Sequence, residues 1–543
     1  MTRPMLDPSA YTDSFARDNL PPVDLWPVFP QAAPDALAYP KRINAAAELI
    51  DNAVAAGFGA RPAIRTPESV WSYDELLARA NRIAAVLIED MGLIPGNRVL
   101  LRAPNNPMLS ACWLAVLKAG GIAVATMPLL RARELVHVID KAKIALALCD
   151  ARLAGELEAA RAACPALRCV FSNTERADGL EARAAHKSDH FANVVTSHDD
   201  VALIAFTSGT TGLAKGTLHF HRDVLAVCDC WQPLLQTSPD DIFAGSAPFA
   251  FTFGLGALLL FPLRFGASSV LLEQANAETL LAAIAAHRVT TTFTVPTLYR
   301  AMIPLAARHD LSALKTCVSS GEHLPVAVLE GWLRATGVRL INSIGSTEML
   351  HAFIAMPRDA VRQNAAGRTL PGYQAIVVDD DMRPLPPETI GRLAVRGPTG
   401  CRYLDDIEQQ KRQVRDGWTL TGDAFRADRD GFFWYHARTD DMIVSAGYNI
   451  SGAEVEEVLL EHASVRECAV VGVADEERGQ MVKAFIVLND PREAGAALTG
   501  ALQEKVKSSI APYKYPRVIE YLDALPRTVS GKIQRNALRE RGA

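Results

Sequence analysis

Residues Val201-Ala202-Leu203-Ile204-Ala205-Phe206 run directly into TSGTTGLAKGT, spanning Thr207 to Thr217. The apolar run is short, continuous and closed by a Gly-rich turn, which predicts a buried strand. The residues after it have the composition of a loop that wraps a polyphosphate. Glycines let backbone N–H groups approach the oxygens, Ser and Thr hydroxyls donate, and a lysine contributes point charge. The pattern is not the Gly-Lys-Ser/Thr P-loop, because Lys215 stands between Ala214 and Gly216. A plain surface loop rich in Gly and Thr is the alternative reading.

The same strand-then-turn rhythm extends outward on both sides. Upstream, Ser72 caps a helix from Tyr73 to Asp90, and strands are expected at 98–102, 122–126, 145–150 and 169–172. Downstream, strands are expected at 269–272, 290–295, 316–319 and 338–344. Strands interleaved with helices predict parallel α/β sheets. After Pro371 the strands become short and turn-bounded (376–378, 391–396, 418–420), which predicts a small β-rich unit. Beyond a charged segment at 438–441 come a helix at 451–462, strands at 468–473 and 484–488, and a helix at 498–509. The expected fold class is therefore α/β: a large N-terminal domain, 1–438, of parallel-type sheets plus the β-rich unit, then a small α+β C-terminal domain, 439–543.

Composition sets broad limits. A chain of 543 residues exceeds what one core serves, and 49% apolar with 22% charged residues describes an ordinary globular protein. The net charge of −5 gives no reason to expect nucleic acid or an anionic membrane as partner. The nine cysteines are scattered without zinc-ligand spacing and read as reduced thiols. The N-terminus is polar and Pro-bearing rather than signal-like, and no run reaches membrane-spanning length. These features predict a cytoplasmic protein.

Four further turns carry chemistry. Ser319-Ser320-Gly321-Glu322 and Asn342-Ser343-Ile344-Gly345-Ser346-Thr347-Glu348 each follow a strand, where a pocket floor forms in α/β sheets. Glu348 is a candidate Mg²⁺ ligand, because a carboxylate beside a phosphate loop is repelled unless a cation intervenes. Thr421-Gly422-Asp423 puts an acid on a tight turn, suited to a diol such as ribose. The tail carries Pro526-Arg527-Thr528-Val529-Ser530-Gly531-Lys532-Ile533-Gln534-Arg535. Taken singly, each has an ordinary structural explanation.

Together, TSGTTGLAKGT, IGSTE, TGD, Arg438-Thr439-Asp440-Asp441 with Gly447, and PRTVSGKIQR resemble the adenylate-forming superfamily over nearly the whole chain. That superfamily comprises acyl- and aryl-CoA synthetases, luciferase-like enzymes and peptide-synthetase adenylation domains. The resemblance implies a mobile C-terminal domain and the cofactors ATP, Mg²⁺ and coenzyme A. It places Thr207, Ser208, Gly209, Thr210, Thr211 and Lys215 on the β,γ-phosphates, and Gly321, Glu322 and Asn342 around adenine. Asp423 and Arg438 fall on ribose, Glu348 at the metal, Thr347 among the catalytic residues with Glu348 and Lys532, and Lys532 on the reacting carboxylate and α-phosphate. Asp440 matches a hinge, and Gly447 a clearance residue at the thiol tunnel.

The chain departs from the commoner pattern at Ile344, where a Tyr is usual, and at Phe251, where many relatives carry His. The second departure, GSTEMLH, and FARDNLPP resemble the benzoate- and 2-aminobenzoate-CoA ligases. By position the acid pocket comprises Phe251, Thr252, Phe253, Ser320, Gly345, His351 and Ala352, although Phe251 suits core packing equally well. Benzoate-specific relatives carry a bulkier Ile at the position of Ala352 and a Tyr at that of Phe253. Ala352 therefore leaves room for a ring substituent, which favours 2-aminobenzoate over benzoate. The partners implied are an aromatic acid and coenzyme A; a homodimer is left open. The rivals are a loader of carrier-protein thiols and a non-catalytic nucleotide binder.

Overall fold

The structure is a computed structural model that describes residues 6–29, 37–207, 214–438, 441–445, 448–475, 478–510, 512–528 and 531–542. Its framework is two large sheets with mainly parallel strands. The six-stranded sheet has the spatial order Arg168–Ser172, Leu146–Asp150, Arg98–Arg102, Ile122–Ala125, Val201–Thr207, Lys215–Phe220. All its neighbours are parallel except the last pair. The strand Val201–Thr207 is buried through Ala205, as a continuous apolar run demands.

The nine-stranded sheet runs from Arg368–Thr369 through Ala352–Ala355, Leu340–Gly345, Thr316–Ser319, Thr291–Thr294, Ile242–Gly245, Ser268–Val270 and Pro62–Arg65 to Val70–Ser72. Its middle strands are parallel and its edge pairs antiparallel. One apolar core joins both sheets, drawing on Trp113, Trp231, Phe261 and Phe293. The helix after Ser72 begins as expected: Ser72 Oγ accepts from the Glu75 N–H at 3.1 Å and Glu75 Oε2 from the Ser72 N–H at 2.9 Å.

A five-stranded antiparallel sheet follows, built on Gln374–Val378, Gly391–Arg396 and Trp418–Ala427. Beyond it, a sheet of Tyr448–Ile450, Ile443–Ser445, Gly479–Leu488, Val465–Asp475 and Val518–Tyr521 carries the helices Gly452–Leu460 and Ala496–Ser509. Two apolar clusters are made wholly of residues between Ile443 and Leu538.

Three local expectations are corrected. Lys215 is not within the loop; it opens an antiparallel strand, Lys215–Phe220, paired back onto Val201–Thr207. Asp423 does not sit on a tight turn but inside the strand Trp418–Ala427, beside a bulge where Gly422 takes φ +77°. Arg438 is not linker: it closes the strand Phe433–Arg438 and pairs in register with Asp423. Among the described residues no helix is long and apolar enough to cross a membrane.

Candidate active site

Strand ends from both large sheets and from the antiparallel unit supply the candidate residues. Thr207 and Lys215 face each other in register at the mouth of the hairpin, and Thr207 Oγ1 donates to the Lys215 carbonyl at 3.4 Å. Ser208, Gly209, Thr210 and Thr211 lie outside the described residues, as do Asp440 and Gly447. Beside the hairpin a cavity of about 330 Å³ is lined by His137, Lys141, Lys215, Tyr403 and Asp406. His137 Nε2 lies 2.7 Å from the Ala214 carbonyl oxygen, so it carries the proton and donates, holding the hairpin's return strand.

Glu348 is in a short helical turn, Thr347–Met349, immediately after the strand Leu340–Gly345. Its Oε1 accepts from the Tyr403 hydroxyl at 2.7 Å. Burial first, and then the Glu348 charge, pushes the Tyr403 phenol far up, so it stays protonated and donates. Tyr403 was not foreseen from sequence. It is held by a bridge to Thr217 and by its N–H donating to Gln410 Oε1 at 2.9 Å. Its neighbour Arg402 is fully buried in an ion pair of 2.8 Å with fully buried Asp223, and its guanidinium lies 4.0 Å from the Phe220 ring centre.

A divalent cation fits this turn. Mg²⁺ prefers one or two carboxylates plus substrate phosphates to an all-protein cage, and a phenol on one oxygen of Glu348 orients the other. The described residues hold a single cluster of metal-type side chains, Asp7, His198 and Asp199, which does not include Glu348. Asp7 there is already paired with Lys41 at 2.9 Å and bonded through its N–H to Asp199.

Asp423 and Arg438 come together as expected. Arg438 Nη1 donates to Asp423 Oδ1 at 3.3 Å and to the Thr421 carbonyl at 3.2 Å. A side chain at Gly422 would meet the Arg438 guanidinium at 2.9 Å, so the bulge glycine admits the arginine. Burial raises the Asp423 carboxyl, while Arg438, Thr421 and Lys532 act in the opposite sense. The charge of Lys532 thus reaches Asp423 although the two are far apart in sequence. Lys532 itself is exposed, on a hairpin closed by the Thr528 N–H donating to its carbonyl at 2.7 Å.

Gly321 ends the turn after Thr316–Ser319 with φ +89°. Ser319 and Asn342 are register partners on adjacent strands, which brings the Ser320-Gly321 turn beside Asn342. Asn342 Nδ2 donates to the Ala365 carbonyl at 3.3 Å, leaving Oδ1 a buried acceptor without a partner. Glu322 already has partners: Thr297 Oγ1 donates to it at 2.6 Å, and Arg527 approaches it at 3.8 Å.

The acid-pocket candidates divide. His351 is 2% exposed within an aromatic cage of Trp231, Phe253, Phe261 and Phe293, with ring centres 4.8–6.4 Å away. Burial holds it down to about 3, so it is neutral. Its Nε2 lies 3.3 Å from the Phe253 carbonyl oxygen, and Nδ1 is buried without a partner. A proton on Nε2 makes Nδ1 an acceptor. Gly345 and Ala352 are register partners, and a Cβ at Gly345 would lie 2.5 Å from the Ala352 Cα. Ser320 donates to the Ser343 carbonyl at 3.0 Å. Thr252 instead faces the core beside Trp113, Phe249 and Leu255, and Phe251 is half-buried just before it. The cage residues Trp231, Phe261 and Phe293 were also missed from sequence, because scattered aromatics carry no local signature.

Comparison with known proteins accounts for this arrangement. The family model of AMP-binding enzymes matches residues 52–402, and that of the AMP-binding enzyme C-terminal domain matches 454–532. The chain therefore belongs to the adenylate-forming AMP-binding enzymes, on their benzoate–CoA ligase branch. It is 34% identical over 513 residues to the benzoate–CoA ligase of Thauera aromatica, covering 93% of this chain and 97% of that one. The crystal structure of the anthranilate CoA ligase AuaEII in complex with anthranoyl-AMP superposes with a TM-score of 0.89 at 30% identity, covering 94% and 99% of the two chains. A benzoate CoA ligase from Burkholderia xenovorans LB400 gives 0.84 at 30% identity, covering 92% and 100%.

Proposed function

We propose that this protein is an AMP-forming aryl–CoA ligase that favours 2-aminobenzoate. The carboxylate attacks the α-phosphorus of ATP, pyrophosphate leaves, and the thiol of coenzyme A then displaces AMP from the aryl-adenylate. The first step brings two anions together, so cationic groups must neutralise both as the bond forms. Lys532 serves that purpose, its flexible ammonium bridging carboxylate and α-phosphate oxygens. Thr207, Ser208, Gly209, Thr210, Thr211 and Lys215 hold the leaving pyrophosphate. Asp423, with Arg438 fixing it, takes the ribose hydroxyls; Gly321, Glu322 and Asn342 border adenine, whose exocyclic amine supplies the donor that Asn342 Oδ1 lacks.

Glu348, steered by Tyr403 and flanked by Thr347, holds Mg²⁺, which when bound neutralises phosphate charge. A boundary at 438/439 with Asp440 as hinge lets the C-terminal domain withdraw Lys532 and bring Gly447 toward the thiol.

One observation carries the choice of acid. His351 Nδ1 is a buried acceptor with no donor, and leaving such a group unsatisfied costs about 1–3 kcal/mol. The amino group of 2-aminobenzoate offers an N–H; the ring of benzoate has none. A small residue at Ala352 favours a ring substituent, and the surrounding aromatics suit a flat ring. The test is CoA-dependent AMP release with benzoate, 2-aminobenzoate, 2-hydroxybenzoate and phenylacetate. The expected order in kcat/KM puts 2-aminobenzoate first; benzoate at or above it overturns the assignment. An acid-dependent AMP release that needs no coenzyme A would point to another acyl acceptor.

A further inference from the structure

Between the large unit and the C-terminal unit, two polar contacts fall on the chain from Thr297 to Glu322. Arg300 Nη1 donates to the Arg466 carbonyl at 2.6 Å, and Arg527 Nη1 lies 3.8 Å from Glu322 Oε1. Arg527 does more than meet a partner across the gap. Its Nη1 also donates to the Gly531 carbonyl at 2.6 Å, and its Nη2 to Glu467 Oε2 at 2.8 Å.

Gly531 directly precedes Lys532 in the hairpin that Thr528 closes on both sides. The Thr528 N–H donates to the Lys532 carbonyl at 2.7 Å, and the Lys532 N–H to Thr528 Oγ1 at 3.1 Å. On the other side of the gap Glu322 is not free to follow a moving arginine, because Thr297 Oγ1 holds its second oxygen at 2.6 Å. A planar guanidinium with fixed donor directions thus links three things: the carboxylate beside the Gly321 turn, the C-terminal sheet through Glu467, and the backbone under Lys532.

We propose that Arg527 is a positioning residue: it locks the Lys532 hairpin over the site for adenylate formation and must release Glu322 before thiol transfer. This rests on the reading of Lys532 as the adenylation group. The strengths fit a lock that opens. The bonds within the C-terminal unit are short and charge-assisted, so the hairpin travels with Arg527. The bond across the gap is a long, partly exposed ion pair of the weakest kind, with both side chains about a quarter exposed.

The full chain tests this by two half-reactions measured separately. Pyrophosphate release in a single turnover reports adenylation, and coenzyme A added to purified aryl-adenylate reports transfer. Losing the charge-assisted bonds in Arg527→Ala should slow adenylation about tenfold with transfer unchanged or faster. Arg527→Lys, which keeps the charge but not the fork, should fall between. Glu467→Gln, which leaves the nucleotide site untouched, should slow adenylation in the same direction. Equal losses in both half-reactions, or no loss in either, overturn the proposal.

Hydrogen exchange of the substrate-free chain provides a readout without chemistry. The Gly531 and Lys532 amides should exchange about tenfold faster in Arg527→Ala and Glu467→Gln than in the parent. Should the parent make no adenylate from any aromatic acid, the functional reading falls while exchange still decides the lock; unchanged exchange overturns it.

Discussion

The Tyr403 hydroxyl meets Glu348 Oε1 at 2.7 Å across 55 positions of sequence, and Tyr403 is itself pinned by Gln410 and Thr217. One oxygen of the carboxylate is thereby fixed and its other oxygen aimed. Tyr403→Phe keeps the ring and removes only the donor. The half-saturating Mg²⁺ concentration for adenylation should rise about tenfold, the usual scale for a ligand whose orienting partner is lost. The rate at saturating metal should stay near that of the parent. A metal titration of pyrophosphate release, with Mn²⁺ binding in the presence of ATP as a second readout, checks this. An unchanged metal dependence would mean that Tyr403 only packs.

Acid selectivity should move at His351 and Ala352. Ala352 is 3% exposed and lies against the backbone at Gly345, so added bulk there has no route to solvent. Ala352→Ile should shift preference toward benzoate over 2-aminobenzoate by about 10- to 100-fold in kcat/KM, the range that one apolar increment of pocket supplies. His351→Phe, which removes the Nδ1 acceptor, should cost 2-aminobenzoate more than benzoate. Parallel falls for both acids would place His351 among the core aromatics alone.

What the chain discloses about itself follows from how local each signal is. Ser72 and Glu75 announce their helix start three residues apart, and Val201 to Phe206 announces a buried strand without help. The strand Lys215–Phe220 was hidden because Gly216 and Thr217 read as loop chemistry until Val201–Thr207 pairs with them. Gly422 looked like a turn, yet the long strand on either side carries it as a bulge. Tyr403, the Arg402–Asp223 pair and the cage around His351 exist only through contacts between distant segments, for which no spacing rule stands in. Short motifs were legible; the distant residues that pack against them were not.

The two half-reactions should respond differently to the loss of Lys532. The Lys532 charge acts on the Asp423 carboxyl against the upward pull of burial. Lys532→Ala should reduce adenylation by two or more orders of magnitude, about 3 kcal/mol of lost charge stabilisation. Transfer from preformed adenylate should survive. Equal loss of both steps would refute the assigned role, and the parallel Arg527 variants separate loss of the ammonium from loss of its placement.

Acid should unfold the protein earlier than its carboxylates alone require. Burial holds His351 and His221 down to about 3 and His219 to about 4, each from an ordinary value of 6.5. His221 is neutral for a structural reason: its Nδ1 accepts from the Ala45 N–H at 3.0 Å, so Nε2 carries the proton toward the Tyr11 hydroxyl at 3.1 Å. A histidine with a depressed folded value binds its proton only when unfolded, so stability is full above pH 6.5 and declines as pH falls below it. Each of the three contributes up to ~1.4 kcal/mol per pH unit, together about 4, until the folded values near 4 and 3 are reached. Between pH 6.5 and 5 the ordinary carboxylates scarcely titrate, so this window isolates the histidines. Urea midpoints taken at half-unit steps there should fall steeply, and His221→Gln should flatten the slope by about one proton even where it lowers the midpoint at pH 7.5. A midpoint that stays level from pH 6.5 to 5 would mean that water or local opening reaches these rings.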